Sequence, residues 1–140
     1  MTIEERIQIK APASVIYAMY ADVARWNTWD PDTKSASLNG PFAVGTTGTL
    51  APTQGRPVQI KLVEVTQDRS FTVVGAIPGF SMRFDHELTE KEGVTEAVHR
   101  VNFSGPLRFI FGPLVGAQVR KGLPKTMVSL KEKVEALVRG

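Results

Sequence analysis

Residues 80–89 read FSMRFDHELT, in which Phe80, Met82, Phe84, His86 and Leu88 share one parity and Ser81, Arg83, Asp85, Glu87 and Thr89 the other. Strict alternation of this kind is the mark of a strand with one buried face. Lys91-Glu92-Gly93 then turns the chain into Ala97, His99, Val101 and Phe103, which again face one way. Two half-buried strands joined by a short turn make an antiparallel hairpin. If the pair is in register around the turn, His86 and His99 lie close to opposite one another on the inward face.

Working outward, the same grammar fills residues 34–104. Asn39-Gly40-Pro41 and Gly45 punctuate one strand pair, and Thr53-Gln54-Gly55-Arg56-Pro57 turns the next. Val58 to Thr66 and Phe71 to Ala76 are strand-like and joined by a polar link. Gly45, Gly48, Gly75 and Gly79 fall in or beside strands, where glycine commonly marks bulges and bends. Ahead of this meander, Ile3, Ile7 and Ile9 alternate with charged and polar residues, with Glu5 as the exception on the apolar side. Pro12 stands at a helix start, Val15, Ile16, Met19 and Tyr20 follow at helical spacing, and Asp22 is placed to cap a second short helix through Trp26. Asp30-Pro31 ends it.

Beyond Gly105-Pro106 the period changes. Val115, Val119, Leu123, Met127, Leu130, Val134 and Leu137 step by three and four, one apolar stripe on a long helix that Pro124 should kink or restart. The expected fold is therefore α+β: a curved antiparallel sheet of about six or seven strands wrapped around a long C-terminal helix, with two short helices after the first strand. Residues 1–140 form a single domain, since a chain of 140 residues supports one core comfortably. A curved sheet around one helix leaves an internal cavity unless bulky side chains fill it.

With Ala11-Pro12-Ala13-Ser14-Val15-Ile16-Tyr17, Asp22-Val23-Ala24-Arg25-Trp26-Asn27-Thr28-Trp29-Asp30, Leu38-Asn39-Gly40-Pro41-Phe42 before Gly45, and Gly122-Leu123-Pro124 before Leu130-Lys131 and Glu135, the chain resembles the START-like helix-grip superfamily (SRPBCC). Within it the likeness is to the polyketide cyclase/dehydrase-like group. The resemblance spans nearly the whole chain and implies the helix-grip fold. The superfamily includes lipid carriers, cyclases and hormone-binding proteins, so it does not choose among functions.

Composition excludes some chemistry. There is no cysteine, hence no disulfide, thiolate ligand or cysteine nucleophile. No phosphate-binding or dinucleotide glycine motif and no nucleophile-elbow serine is present, and no cofactor or metal is expected. Both charge signs are scattered, the net charge is +3, and DNA is not an expected partner. The first ten residues offer no apolar secretory run, and no apolar stretch is long enough to span a bilayer, so a cytoplasmic protein is expected.

Candidate site residues follow from the inward faces. His86 and His99 are a proton-transfer pair or ligand-orienting groups in one reading, and buried histidines with satisfied hydrogen bonds in the other. The cavity lining is expected to comprise Phe71, Phe80, Met82, Phe84, His86, His99, Val101, Phe103, Phe109, Leu123 and Met127. Trp26 and Trp29 either gate this cavity or staple the short helices to the sheet. Tyr17, Tyr20, Asp22 and Glu64 are further polar candidates, Glu64 unless a bulge turns it outward, while alternation puts Asp85 outside. Leu107 to Val115, followed by Arg120, Lys121 and Lys125, are expected to start the core helix and line the cavity floor; the alternative is transient membrane contact.

Three functions fit. The first is a non-catalytic carrier of a small hydrophobic or amphipathic molecule such as a lipid, polyketide or aromatic metabolite. The second is a cyclase or dehydratase with a cavity histidine as acid/base, and the third an interaction module for RNA, the ribosome or a protein.

Overall fold

A computed structural model describes residues 2–140. Strand β1 (Thr2–Ile9) leads into helix α1 (Ala13–Ala21) and a short 3₁₀ helix (Val23–Thr28). Six strands follow: β2 (Thr33–Leu38), β3 (Thr47–Pro52), β4 (Val58–Thr66), β5 (Ser70–Ile77), β6 (Phe80–Lys91) and β7 (Val94–Ser104). Helix α2 (Arg108–Arg139) ends the chain. The strands form one antiparallel sheet in the order β1-β7-β6-β5-β4-β3-β2, which curls around α2 as a helix grip.

The β6–β7 hairpin holds a single register from Ser81↔Ser104 to Lys91↔Val94. Its turn residues Glu92 and Gly93 both have positive φ (54° and 79°), the handedness that matches the twist of the flanking strands. Register shifts occur between Thr33 and Ser35 and between Leu62 and Glu64 rather than at a glycine. The second shift answers the question left open for Glu64. The residue ends opposite Thr72 on the outer face, accepting from the Thr66 and Ser70 hydroxyls. Asp85 is likewise outside, accepting from Thr72 Oγ1 at 2.7 Å.

Helix α2 runs as one element through Pro113 and Pro124, so it does not restart at Pro124. Both prolines are exposed. The carbonyls they leave unpaired thus meet water on the outer side of the helix, where the loss is least costly. The buried stripe ends at Val134, and Leu137, expected inside, is exposed beyond the edge of the sheet. Asp22 places no side-chain cap on the 3₁₀ helix; its carboxylate pairs with Arg25 at 3.6 Å instead.

Two apolar clusters form the core. The larger packs Ile9, Ile16, Tyr20, Trp26, Trp29, Leu62, Phe71, Leu130 and Val134 among α1, the 3₁₀ helix, the sheet and the C-terminal half of α2. The smaller packs Ile3, Phe80, Val101, Phe103 and Leu123 beneath its N-terminal half. Each large side chain fully buried this way contributes roughly 1.5–3 kcal/mol. Polar pins fix the helix over β1: the Lys10 amide donates to Glu135 at 2.8 Å, and Lys131 Nζ to the Gln8 carbonyl at 2.9 Å.

Candidate functional site

The hairpin register places His86 directly opposite His99, as alternation about residues 91–93 predicts. Phe71 pairs with His86 on the other side, and Glu5 with His99. Phe71, His86, His99 and Glu5 therefore cross four adjacent strands in one row on the concave face. The Phe71 and His86 rings stack at 3.9 Å and 5°, and the two imidazoles meet edge to face at 4.5 Å.

Tyr20 of α1 sits over this row, 5.0 Å from the Phe71 ring and 5.5 and 5.6 Å from the two imidazoles. Its hydroxyl lies 2.7 Å from His99 Nε2. Trp26 Nε1 donates to the Tyr20 carbonyl at 2.8 Å, which locks the end of α1. Trp29 packs at 5.8 Å from Tyr20, and its indole N–H, buried, has no hydrogen-bond partner among the described residues. Both tryptophans are buried in the larger apolar cluster.

Burial sets the charge state. His86 is pushed down to about 4, with the Phe71 carbonyl and the Asp85 charge opposing the shift only in part. His99 is driven well below the usual imidazole value, first by burial and then by the proximity of His86. Burial raises the Tyr20 phenol. All three are neutral at pH 7. The phenol O–H is the natural donor to His99 Nε2, which puts the His99 proton on Nδ1. His86 Nδ1 lies 3.2 Å from the Phe71 carbonyl and can only donate to it, leaving Nε2 as an acceptor.

The two histidines mark the seam between the apolar clusters. His99 is sealed, while Met82, Phe84 and His86 along β6 are only half-buried, because α2 lies chiefly across β1. At the far end of this strip opens an apolar cleft of about 140 Å³, between Gly75, Phe80 and Met82 on the sheet and Phe111 and Val115 on α2. Met82 and His86 are about 13 Å apart along the strand.

Of the expected lining residues, Phe80 and Met82 border the cleft, while Phe84 and His86 lie further along the same face of β6, outside its lining. Val101, Phe103 and Leu123 close the smaller cluster behind it. Phe71, Trp26, Trp29 and Met127 belong to the larger cluster. Phe109 is 73% exposed and lines nothing, because the first turns of α2 project past the sheet. The expectation that Leu107 to Val115 is core holds only for Gly112, buried, and for the half-buried Leu107, Phe111 and Val115. Sequence reading placed Phe111 only within the Leu107–Val115 segment expected along the cavity floor and gave Gly75 no site role; both border the cleft once α2 is laid over the sheet. Among the described residues no three His, Asp or Glu side chains converge on one point. No helix of the described residues is long and apolar enough to cross a membrane.

A seven-stranded helix grip with an apolar opening between its long helix and concave sheet defines a START-like protein. The chain belongs to the family described as polyketide cyclase / dehydrase and lipid transport, whose model matches residues 1–135. Its fold is similar to that of the Zhui aromatase/cyclase from Streptomyces sp. R1128 (14% identity, 100% of this chain and 96% of that one, TM-score 0.82). It is also similar to a START superfamily protein from Mycobacterium smegmatis (14% identity, 97% and 98% covered, TM-score 0.76). A third likeness is to norcoclaurine synthase from Thalictrum flavum (12% identity, 96% and 86% covered, TM-score 0.70). No curated protein matches the chain by sequence. At these identities the likeness is one of fold.

Proposed function

We propose that the protein binds a small hydrophobic or amphipathic molecule, a lipid, polyketide or aromatic metabolite, between the N-terminal half of α2 and the concave sheet. The observation that carries this reading is the wholly apolar cleft between Phe111 and Val115 on one side and Gly75, Phe80 and Met82 on the other. Its 140 Å³ falls short of the roughly 300 Å³ at the lower end of ligand pockets. Binding therefore widens the cleft, by swinging Phe111 or Met82, both half-buried, off the floor. Apolar area removed from water supplies the affinity, at about 25 cal/mol per Å². Beyond the cleft, about 13 Å further along β6, His86 Nε2 is an acceptor, so a ligand long enough to reach it presents a hydroxyl there rather than a bare carbonyl.

The same site favours binding over turnover. A general acid or base works best with a pKa near the working pH. His86, held near 4, is neutral and weakly basic at pH 7. His99 is occupied by Tyr20. The test is native mass spectrometry of protein purified from its own host, with gentle release and identification of what is bound. A stoichiometric apolar molecule bearing a hydroxyl is expected. An apo mass, together with no uptake of a hydrophobic dye, would defeat the proposal.

A further inference from the structure

The large apolar side chains left in solvent are unevenly placed. Phe109, Ile110 and Leu114 are 73%, 62% and 69% exposed, and all three lie in the first two turns of α2. Ile77, exposed at the end of β5, stands at the mouth of the cleft that Phe111 and Val115 close from the helix side. Exposed Pro78 and Pro106 belong to the same end of the molecule. Large apolar side chains left exposed at the end of the helix that borders the cleft call for a partner, since soluble surfaces seldom leave a large apolar patch uncovered.

Charge is also unevenly placed, although both signs look scattered when read along the chain. From Ala97 to Lys131 the sequence carries Arg100, Arg108, Arg120, Lys121, Lys125 and Lys131 and no Asp or Glu. As the whole chain is only +3, the remainder is net negative. Arg100 is engaged by Glu4 and Glu87, and Lys131 by Glu135. Arg108, Arg120, Lys121 and Lys125 are exposed and make no ion pair among the described residues. At the helical period Ile110, Leu114, Lys121 and Lys125 follow one ridge, opposite the buried Gly112, Gly116 and Leu123. A nucleic acid or acidic protein would use the cations and leave the apolar tip in water. A lipid surface uses both.

We propose that the N-terminal half of α2 docks on an anionic lipid bilayer. Ile110 and Leu114 enter the acyl boundary and Lys121 and Lys125, on the same ridge, meet the headgroups; Arg108 and Phe109 flank them at the helix tip, and Arg120 lies off the ridge. Docking sets the cleft mouth against the membrane, where an apolar ligand passes without crossing water; this last step alone rests on the ligand-binding reading.

The test is co-sedimentation of the full chain with vesicles of phosphatidylcholine, with and without phosphatidylserine. Binding to the anionic vesicles only is expected, falling about tenfold on going from low to high salt. Ile110→Ser with Leu114→Ser should lower partitioning by about tenfold or more, and Lys121→Gln with Lys125→Gln by about tenfold. All four side chains are exposed, so thermal melts should match the parent and certify folding. No binding to anionic vesicles overturns the proposal, as does undiminished binding by the serine variant. Binding to single-stranded RNA but not to vesicles overturns it too. Uptake of a hydrophobic dye in the absence of vesicles reads the ligand site separately: docking without dye uptake sinks only the ligand-binding reading, and dye uptake without docking sinks only this one.

Discussion

The Tyr20 hydroxyl lies 2.7 Å from His99 Nε2, and both side chains are sealed from solvent. This bond ties α1 to β7 across 79 residues of sequence and fixes the tautomer of the inner histidine. Tyr20→Phe keeps the ring contacts but leaves a buried imidazole nitrogen without a partner. We expect a loss of about 1–3 kcal/mol, read as a lower urea midpoint with unchanged slope. An unchanged midpoint would mean the bond adds nothing beyond ring packing.

Acid should weaken the fold before the carboxylates titrate. Unfolded, both histidines take up protons near pH 6.5; folded, His86 does so only at about 4 and His99 well below 6.5. Because the unfolded state then binds more protons, stability is full above about pH 6.5 and is lost as pH falls toward 4. Asp30, raised by burial, acts in the opposite sense above the ordinary carboxylate value, so the histidine contribution is isolated by comparing the parent with His86→Phe. Urea unfolding between about pH 7 and pH 5 should show the decline, and His86→Phe should flatten part of it. A level profile in the parent would contradict the neutral, buried pair.

The two tryptophans should respond unequally. Trp26 loses both volume and its bond to the Tyr20 carbonyl when replaced by phenylalanine, whereas the Trp29 indole N–H has no partner to lose. Trp26→Phe should therefore cost about 1 kcal/mol more than Trp29→Phe in paired urea unfolding. The reverse order would place an unseen acceptor at Trp29.

Asp30 joins three elements, accepting from the Asp32 amide at 3.0 Å and from the Thr33 and Thr126 hydroxyls at 2.9 and 3.1 Å. Asp30→Ala strands these donors where the 3₁₀ helix meets β2 and α2. A cost of about 2–4 kcal/mol in thermal or urea unfolding is expected. A cost under about 0.5 kcal/mol would mean that water replaces the carboxylate at no loss.

Alternation carried most of the fold. The parity of Phe80 to Leu88 and of Ala97 to Phe103 fixed the hairpin, its register and the meeting of His86 with His99. Pro12, the helical spacing of Val15 to Tyr20 and the Asp22 and Asp30-Pro31 signals located the short helices. Three features were not legible because they depend on how elements lie across one another. Tyr20 reached His99 only through the placing of α1 over the sheet. Phe71, Trp26 and Trp29 converge in one buried apolar cluster, and their bulk is visible in sequence but their convergence is not. Phe109 was misplaced because helical period gives a face, not how far the helix projects beyond the sheet.

The central claim, that an apolar ligand sits between α2 and the sheet, is tested most directly by titrating a hydrophobic fluorescent dye into the parent and into Val115→Phe, which fills the cleft from the helix side. The account predicts saturable binding by the parent and at least about tenfold weaker binding by the variant, with its thermal melt preserved. Equal affinity in the two would place the ligand elsewhere and contradict the assignment of the cleft.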